Sequence, residues 1–269
     1  MLGQLFLSAV LACSQVPHAG TVNPPQWYEV KPSNSKTNPD WGVHLTDIER
    51  RVTTTDHRLG DKLTWAHEGT HFINAHLTTW HSQAMKTYAQ GLYVGGDLCT
   101  FVPAPRITVR DVASVIPDQV RGSRYKTYLV DFHRNSLNTP TLILDEWVAY
   151  QNGLATGIEH VEQRLSRLEQ TNYALSVLEM GVYSAYMLEA VTADPDYDST
   201  QLKAFVAWGT EKSFRLHRQA VQYREFNWDS GKTLAAMQTG MEYAPYRRLL
   251  AKHYGQAWVD KVVGGTPPR

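Results

Sequence analysis

The pentapeptide His67-Glu68-Gly69-Thr70-His71 limits what this chain can become more than any other stretch of it. On an α-helix each residue advances about 100°, so His67 and His71 stand about 40° apart on one face. Both imidazoles can then reach one zinc ion, at bond lengths of about 2.0–2.1 Å. Glu68 points about 60° from His71, beside such an ion rather than onto it, where a carboxylate can take a proton from water. A random chain of this composition would hold ~0.02 such pentapeptides, so the motif needs support from its surroundings. Leu63, Ala66, Phe72, Ile73, Leu77 and Trp80 recur at three- and four-residue spacing, which predicts a helix over Leu59–Trp80 starting near Gly60-Asp61. Gly69 costs that helix about 1 kcal/mol against Ala, which points to a close backbone approach or to passage of a substrate.

A third ligand leaves the fourth position of a catalytic zinc site open. His76 lies five residues past His71, turned about 140° away on a continuing helix. The metzincin pattern would need Gly at position 74 and His at position 77, where this chain has Asn74 and Leu77. Glu146 is the better candidate, in Leu144-Asp145-Glu146-Trp147-Val148-Ala149-Tyr150. It is acidic on an otherwise apolar helix, and a carboxylate there needs a partner. Asp145 is its adjacent competitor. The plainer readings are a solvated surface helix for the motif and a salt bridge to Arg134 or Arg124 for Glu146. His76 and His81 read as surface or packing residues.

HExxH followed by a Glu on a later helix resembles the gluzincin branch of the zincin metallopeptidases, over roughly residues 60–150. The resemblance implies one Zn2+ ion held by His67, His71 and Glu146, with Glu68 as general base. It also implies a helical core with a small sheet beside the cleft. Amide hydrolysis needs a donor for the developing oxyanion. Tyr150, one turn after Glu146, is ranked first by spacing; His133, Tyr125 and Tyr128 are equally plausible by chemistry. The expected activity is zinc-dependent hydrolysis of a peptide or protein substrate. The alternatives are a non-catalytic, zinc-stabilised helical binding or structural module, or a metal-dependent hydrolase of a non-peptide bond.

The remaining sequence frames this site. Of 269 residues, 42% are hydrophobic and 19% charged, which excludes a disordered chain or a coiled coil. Lys+Arg and Asp+Glu are 26 each, so no basic excess marks a nucleic-acid binder. Two cysteines are too few for a disulfide framework. No run of 18 apolar residues predicts a membrane span. Residues 1–20 read as a possible signal or leader segment, or else as a strand or helix of the fold. Val10-Leu11-Ala12-Cys13 loosely resembles a lipobox, with a possible lipid anchor at Cys13; secretion is slightly favoured if the leader acts as one.

Residues 21–269 are expected as a single α+β domain, predominantly α-helical, with a helical C-terminal half. Residues 21–40, with Pro24, Pro25, Pro32 and Pro39, read as extended or loop-like backbone. Short strands are expected at Cys99–Val102, Ile107–Val109 and Tyr125–Phe132. A helix should follow Thr139 as N-cap and Pro140 as first residue, stopping at Gly153. Long helical periodicity covers 157–191, and further helices are expected at 200–224 and 232–254. Trp65 and Trp147 are expected to pack the two ligand helices together.

Overall fold

The computed structural model describes residues 7–9, 22–58, 60–131, 138–227 and 230–264. The fold is α+β and predominantly helical. Its sheet has the order β1-β2-β4-β3 and is antiparallel throughout: β1 (Leu7–Ala9), β2 (Tyr28–Val30), β3 (Ala89–Gly95) and β4 (Leu98–Pro103). β3 and β4 form a hairpin that turns through Gly95, Gly96 and Asp97, all at positive φ. Glycine reaches that region without strain, and Asp is among the residues that tolerate it.

Helix α1 (Gly42–Glu49) precedes α2 (Lys62–Met85), which carries the motif. After the hairpin come α3 (Val109–Val115), a π-helical turn (Lys126–Asp131) and α4 (Leu142–Glu162). Then follow α5 (Tyr173–Ala190), α6 (Thr200–Ala220), α7 (Ser230–Thr239), α8 (Ala244–Tyr254) and α9 (Gln256–Val262). Two hydrophobic clusters lie on either side of α2. The larger centres on α4, α5 and α6, with Trp147 fully buried in it. The smaller joins Leu45 and Ile48 of α1, Ala66, Ile73 and Leu77 of α2, and Tyr93, Cys99 and Phe101 of the sheet.

Several local expectations are overturned. Gly153 does not stop α4, which runs on to Glu162. It is there for space: a Cβ on it would lie 2.6 Å from Cε1 of Tyr173 and 3.1 Å from the Leu63 carbonyl. Gly157 faces Leu63 in the same way, so the two glycines let α4 press onto α2. The periodicity over 157–191 belongs to two helices, α4 and α5, separated by a turn in which Arg164 takes φ 56°. Ile107–Val109 is not a strand. Thr108 instead caps α3, its hydroxyl accepting from Asp111 N while the Asp111 carboxylate accepts from Thr108 N. Tyr125–Phe132 is not a strand either; Lys126–Asp131 is π-helical, and Phe132 lies outside the described residues. The helix expected at 232–254 is broken between α7 and α8.

The segment Tyr173–Ala193 is long and apolar enough to cross a membrane, yet 89% of it is buried inside the fold. It is a core helix here. Of the leader segment, Leu7–Ala9 forms the edge strand β1; the rest, Cys13 included, lies outside the described residues.

Candidate metal centre

Asp61 starts α2 as N-cap: its Oδ1 accepts from Thr64 N at 2.9 Å. With that register, Ala66, Ile73 and Leu77 enter the smaller cluster while His67 and His71 face α4. Gly69 between them is a close approach to α1: a Cβ there would lie 2.7 Å from Cγ2 of Ile48. On the other side, α4 begins two residues later than Thr139–Pro140 suggests, after turn bonds from Leu142, Ile143 and Leu144 to the carbonyls of Thr139, Pro140 and Thr141. Asp145 and Glu146 therefore fall near its start, against the motif.

Here the structure brings His67, His71 and Glu146 together. Nε2 of His67 and Nε2 of His71 are 3.1 Å apart. Glu146 presents Oε2 to His67 at 3.5 Å and Oε1 to His71 at 3.6 Å. A tetrahedral zinc with bonds of about 2.0–2.1 Å sets its ligand atoms about 3.3–3.4 Å apart, and one ligand atom from each of these residues lies within 4.8 Å of the others. The three residues could hold a metal ion. His71 keeps 22% of its side chain exposed against 8% for His67, so the group opens to solvent on the His71 side. Glu146 Oε2 and His67 Nδ1 are buried without a hydrogen-bond partner among the described residues.

Burial alone would raise the Glu146 carboxyl, but the two imidazoles outweigh it and hold the group down to about 2. Burial would likewise lower His71; Asp145 and Glu146 reverse this and lift it well above its ordinary range.

Sequence reasoning missed the layer behind the ligands. Asp145 is not a ligand candidate in this geometry. Its Oδ2 accepts from His71 Nδ1 at 2.8 Å and its Oδ1 accepts from Asn74 Nδ2 at 2.6 Å. Asn74 Oδ1 in turn accepts from the backbone N–H of Tyr93 in β3 at 2.6 Å. The sheet thus fixes Asn74, Asn74 fixes Asp145, and Asp145 sets the tautomer and plane of His71. The available signal was Asn74 itself, an amide three residues past His71 on the motif's face.

Tyr150 packs its ring 4.6 Å from that of His67, and its hydroxyl hydrogen-bonds the Tyr128 hydroxyl at 2.7 Å. Burial raises both phenols, and the Glu146 charge adds to it. Tyr173 completes the wall, 5.8 Å from His67. The Arg124 guanidinium lies 5.2 Å from the Tyr150 ring, tied to Asn172 and Ser176 rather than to Glu146. Glu68 is half-buried and makes no hydrogen bond or ion pair among the described residues.

The other candidates sit elsewhere. Tyr125 donates to the Ala113 carbonyl at 3.2 Å, His76 is exposed, and His81 stacks on Phe101. His133 and Arg134 lie outside the described residues. Trp147 and Trp65 do not clamp the ligand helices together. Trp147 donates into the α5–α6 side, to Val177 O and Ser213 Oγ, while Trp65 packs against the smaller cluster under Lys62 and Arg58. Comparison with models of known families, with curated proteins and with solved structures finds no match for this chain.

Proposed function

We propose that this chain is a zinc-dependent peptidase of gluzincin-like design, with one Zn2+ held by His67, His71 and Glu146. The observation that carries the reading is a cluster of two imidazole nitrogens 3.1 Å apart and one carboxylate, a ligand atom of each lying within 4.8 Å of the others, formed by two helices and open to solvent on one side. Its donor set, two imidazoles and a carboxylate, suits zinc with one position left over. A zinc ion bound there acts as a Lewis acid that polarises the scissile carbonyl and makes a water molecule more acidic.

The remaining work falls to this chain's own side chains. Glu68 has no competing partner, so its carboxylate is free to take the proton of the attacking water and return it to the leaving amine. Asp145 keeps the His71 ring oriented through that transfer. The Tyr128 and Tyr150 hydroxyls share one hydrogen bond, and with Tyr128 as its donor the Tyr150 O–H is the second donor of the pair. That second O–H would meet the carbonyl oxygen of the scissile bond as it gains negative charge. The substrate is a peptide or protein.

The test joins metal content to activity. The purified, metal-supplemented chain should hold about one zinc per chain and cleave members of a peptide library. Glu68→Gln should keep the zinc and lose at least about 100-fold in kcat. A folded chain without zinc sinks the reading. So does full activity in Glu68→Gln. Zinc bound at full occupancy without hydrolysis of any peptide would leave the non-catalytic, zinc-stabilised module.

A further inference from the structure

A second concave site lies away from the metal centre. A cavity of about 570 Å3 opens between the C-terminal half of α4, the middle of α6 and the β3–β4 turn. That is within the range of small-molecule pockets, about 300–1,000 Å3. None of His67, Glu68, His71, Glu146 or Tyr150 lines it.

The charges on its wall are unequally committed. Lys212 is only 9% exposed, and its Nζ donates to two neutral acceptors, Val94 O at 2.8 Å and Asn152 Oδ1 at 3.3 Å. An ammonium has three N–H groups, so one donor is left over. Arg215, three residues on and also on the wall, makes no hydrogen bond or ion pair among the described residues. The wall's carboxylates are already engaged. Glu159 accepts from Val43 N and His44 N at the start of α1, and Glu162 accepts from Gln219 Nε2 and the Tyr223 hydroxyl. Beside the cations, Trp27 and Trp208 meet edge to face at 5.1 Å, and Leu98, Ile158 and Leu216 extend the apolar wall.

We propose that this cavity binds a small aromatic carboxylate, its anionic head on Lys212 and Arg215 and its ring against Trp27 and Trp208. A cationic ligand would meet Lys212 and Arg215, neither of which has an ion-pair partner among the described residues. A wholly apolar one would strip the Lys212 ammonium of its remaining solvent without replacing it. A carboxylate supplies the missing acceptor as a charge-assisted hydrogen bond. Burial, with Arg215 nearby, pushes the Lys212 amine down to about 7, so its charge is poorly supported until an anion arrives.

The probe is indole-3-acetate, titrated into the full chain by calorimetry. Its neutral amide, indole-3-acetamide, is the control. The acid should bind about tenfold more tightly than the amide or better. Lys212→Met should abolish that preference, and the surface change Arg215→Gln should weaken the acid severalfold with the circular dichroism spectrum unchanged. No saturable binding at millimolar acid overturns the proposal. Equal binding of acid and amide overturns it, as does an unaltered acid affinity in both variants. The metal is not involved, so the result is independent of whether the chain is a peptidase.

Discussion

Asp145 accepts one hydrogen bond from His71 and one from Asn74, and neither residue has another side-chain acceptor at that atom. Two outcomes follow for the proposed metal. Asp145→Asn should leave the chain folded and weaken zinc binding about 10–100-fold, read by competition with a chelating dye. Unchanged affinity would mean that the carboxylate does not orient His71. A different buried carboxylate contributes to acid stability. Glu49 is fully buried and pairs with His57 at 2.7 Å and Arg58 at 2.6 Å. Burial would raise its pKa, but these partners hold it at about 2, below its ordinary value of 4.5. A depressed folded pKa contributes stability above the unfolded value and loses it as pH falls through the folded one. The window runs from about pH 5 to about pH 2, and the contribution at neutral pH is about 3 kcal/mol. Urea denaturation should show Glu49→Gln less stable than the parent at pH 7, the gap narrowing below about pH 5 and closing only near pH 2. A gap independent of pH would refute this.

Between α2 and α4 the contact is made by glycines. Gly153→Ala gains about 1 kcal/mol of helix propensity, but its Cβ meets Tyr173 at 2.6 Å and the Leu63 carbonyl at 3.1 Å, an overpacking that costs about 1–3 kcal/mol. Net destabilisation is expected in a denaturant titration, because a backbone carbonyl cannot swing aside as a side chain can. A stabilised variant would show that the helices are not in close contact there. The same glycine explains one misreading. From local sequence it resembles a helix stop, whereas its reason for being there lies in Leu63, ninety positions earlier. Where the signal is local it was legible: the start of α2 near Gly60-Asp61, its apolar spacing, and Glu146 as an acid on an apolar helix. The capping box of Thr108 and Asp111 was equally local, but the apolar residues around it read as a strand. The π-helical turn after Tyr125 follows buried Glu179, which accepts from Ser123 N and Arg124 N across more than fifty positions and which no local pattern announces. Asn74 escaped notice for the same reason, since its partners are Tyr93 and Asp145.

Over the whole molecule, α2 is held from both sides without any ion. The smaller cluster packs it against α1 and the sheet, and the glycine contact with its hydrogen bonds joins it to α4. Asn152 donates to Thr70 Oγ1 at 3.2 Å and to Tyr93 O at 3.0 Å, which ties α4 to the motif helix and to β3 at once. The helical framework should therefore outlast removal of the proposed zinc. The ion still adds stability, because it binds the folded chain and not the unfolded one: at 100 times its Kd it contributes about 2.7 kcal/mol. For a chain of this size that corresponds to a rise in Tm of roughly 5–10 °C. Thermal melts with and without a strong chelator should show this shift, with the far-ultraviolet circular dichroism at 25 °C unchanged between the two. Loss of helical signal on chelation would mean that the metal builds the fold, which is the behaviour of a structural module. No shift at all, for both the parent and a His67→Ala variant, would mean that the histidines and Glu146 meet without a resident ion. Only the intermediate outcome, a stable apo framework with a metal-dependent Tm that the variant loses, fits a preformed centre waiting for its zinc and its water.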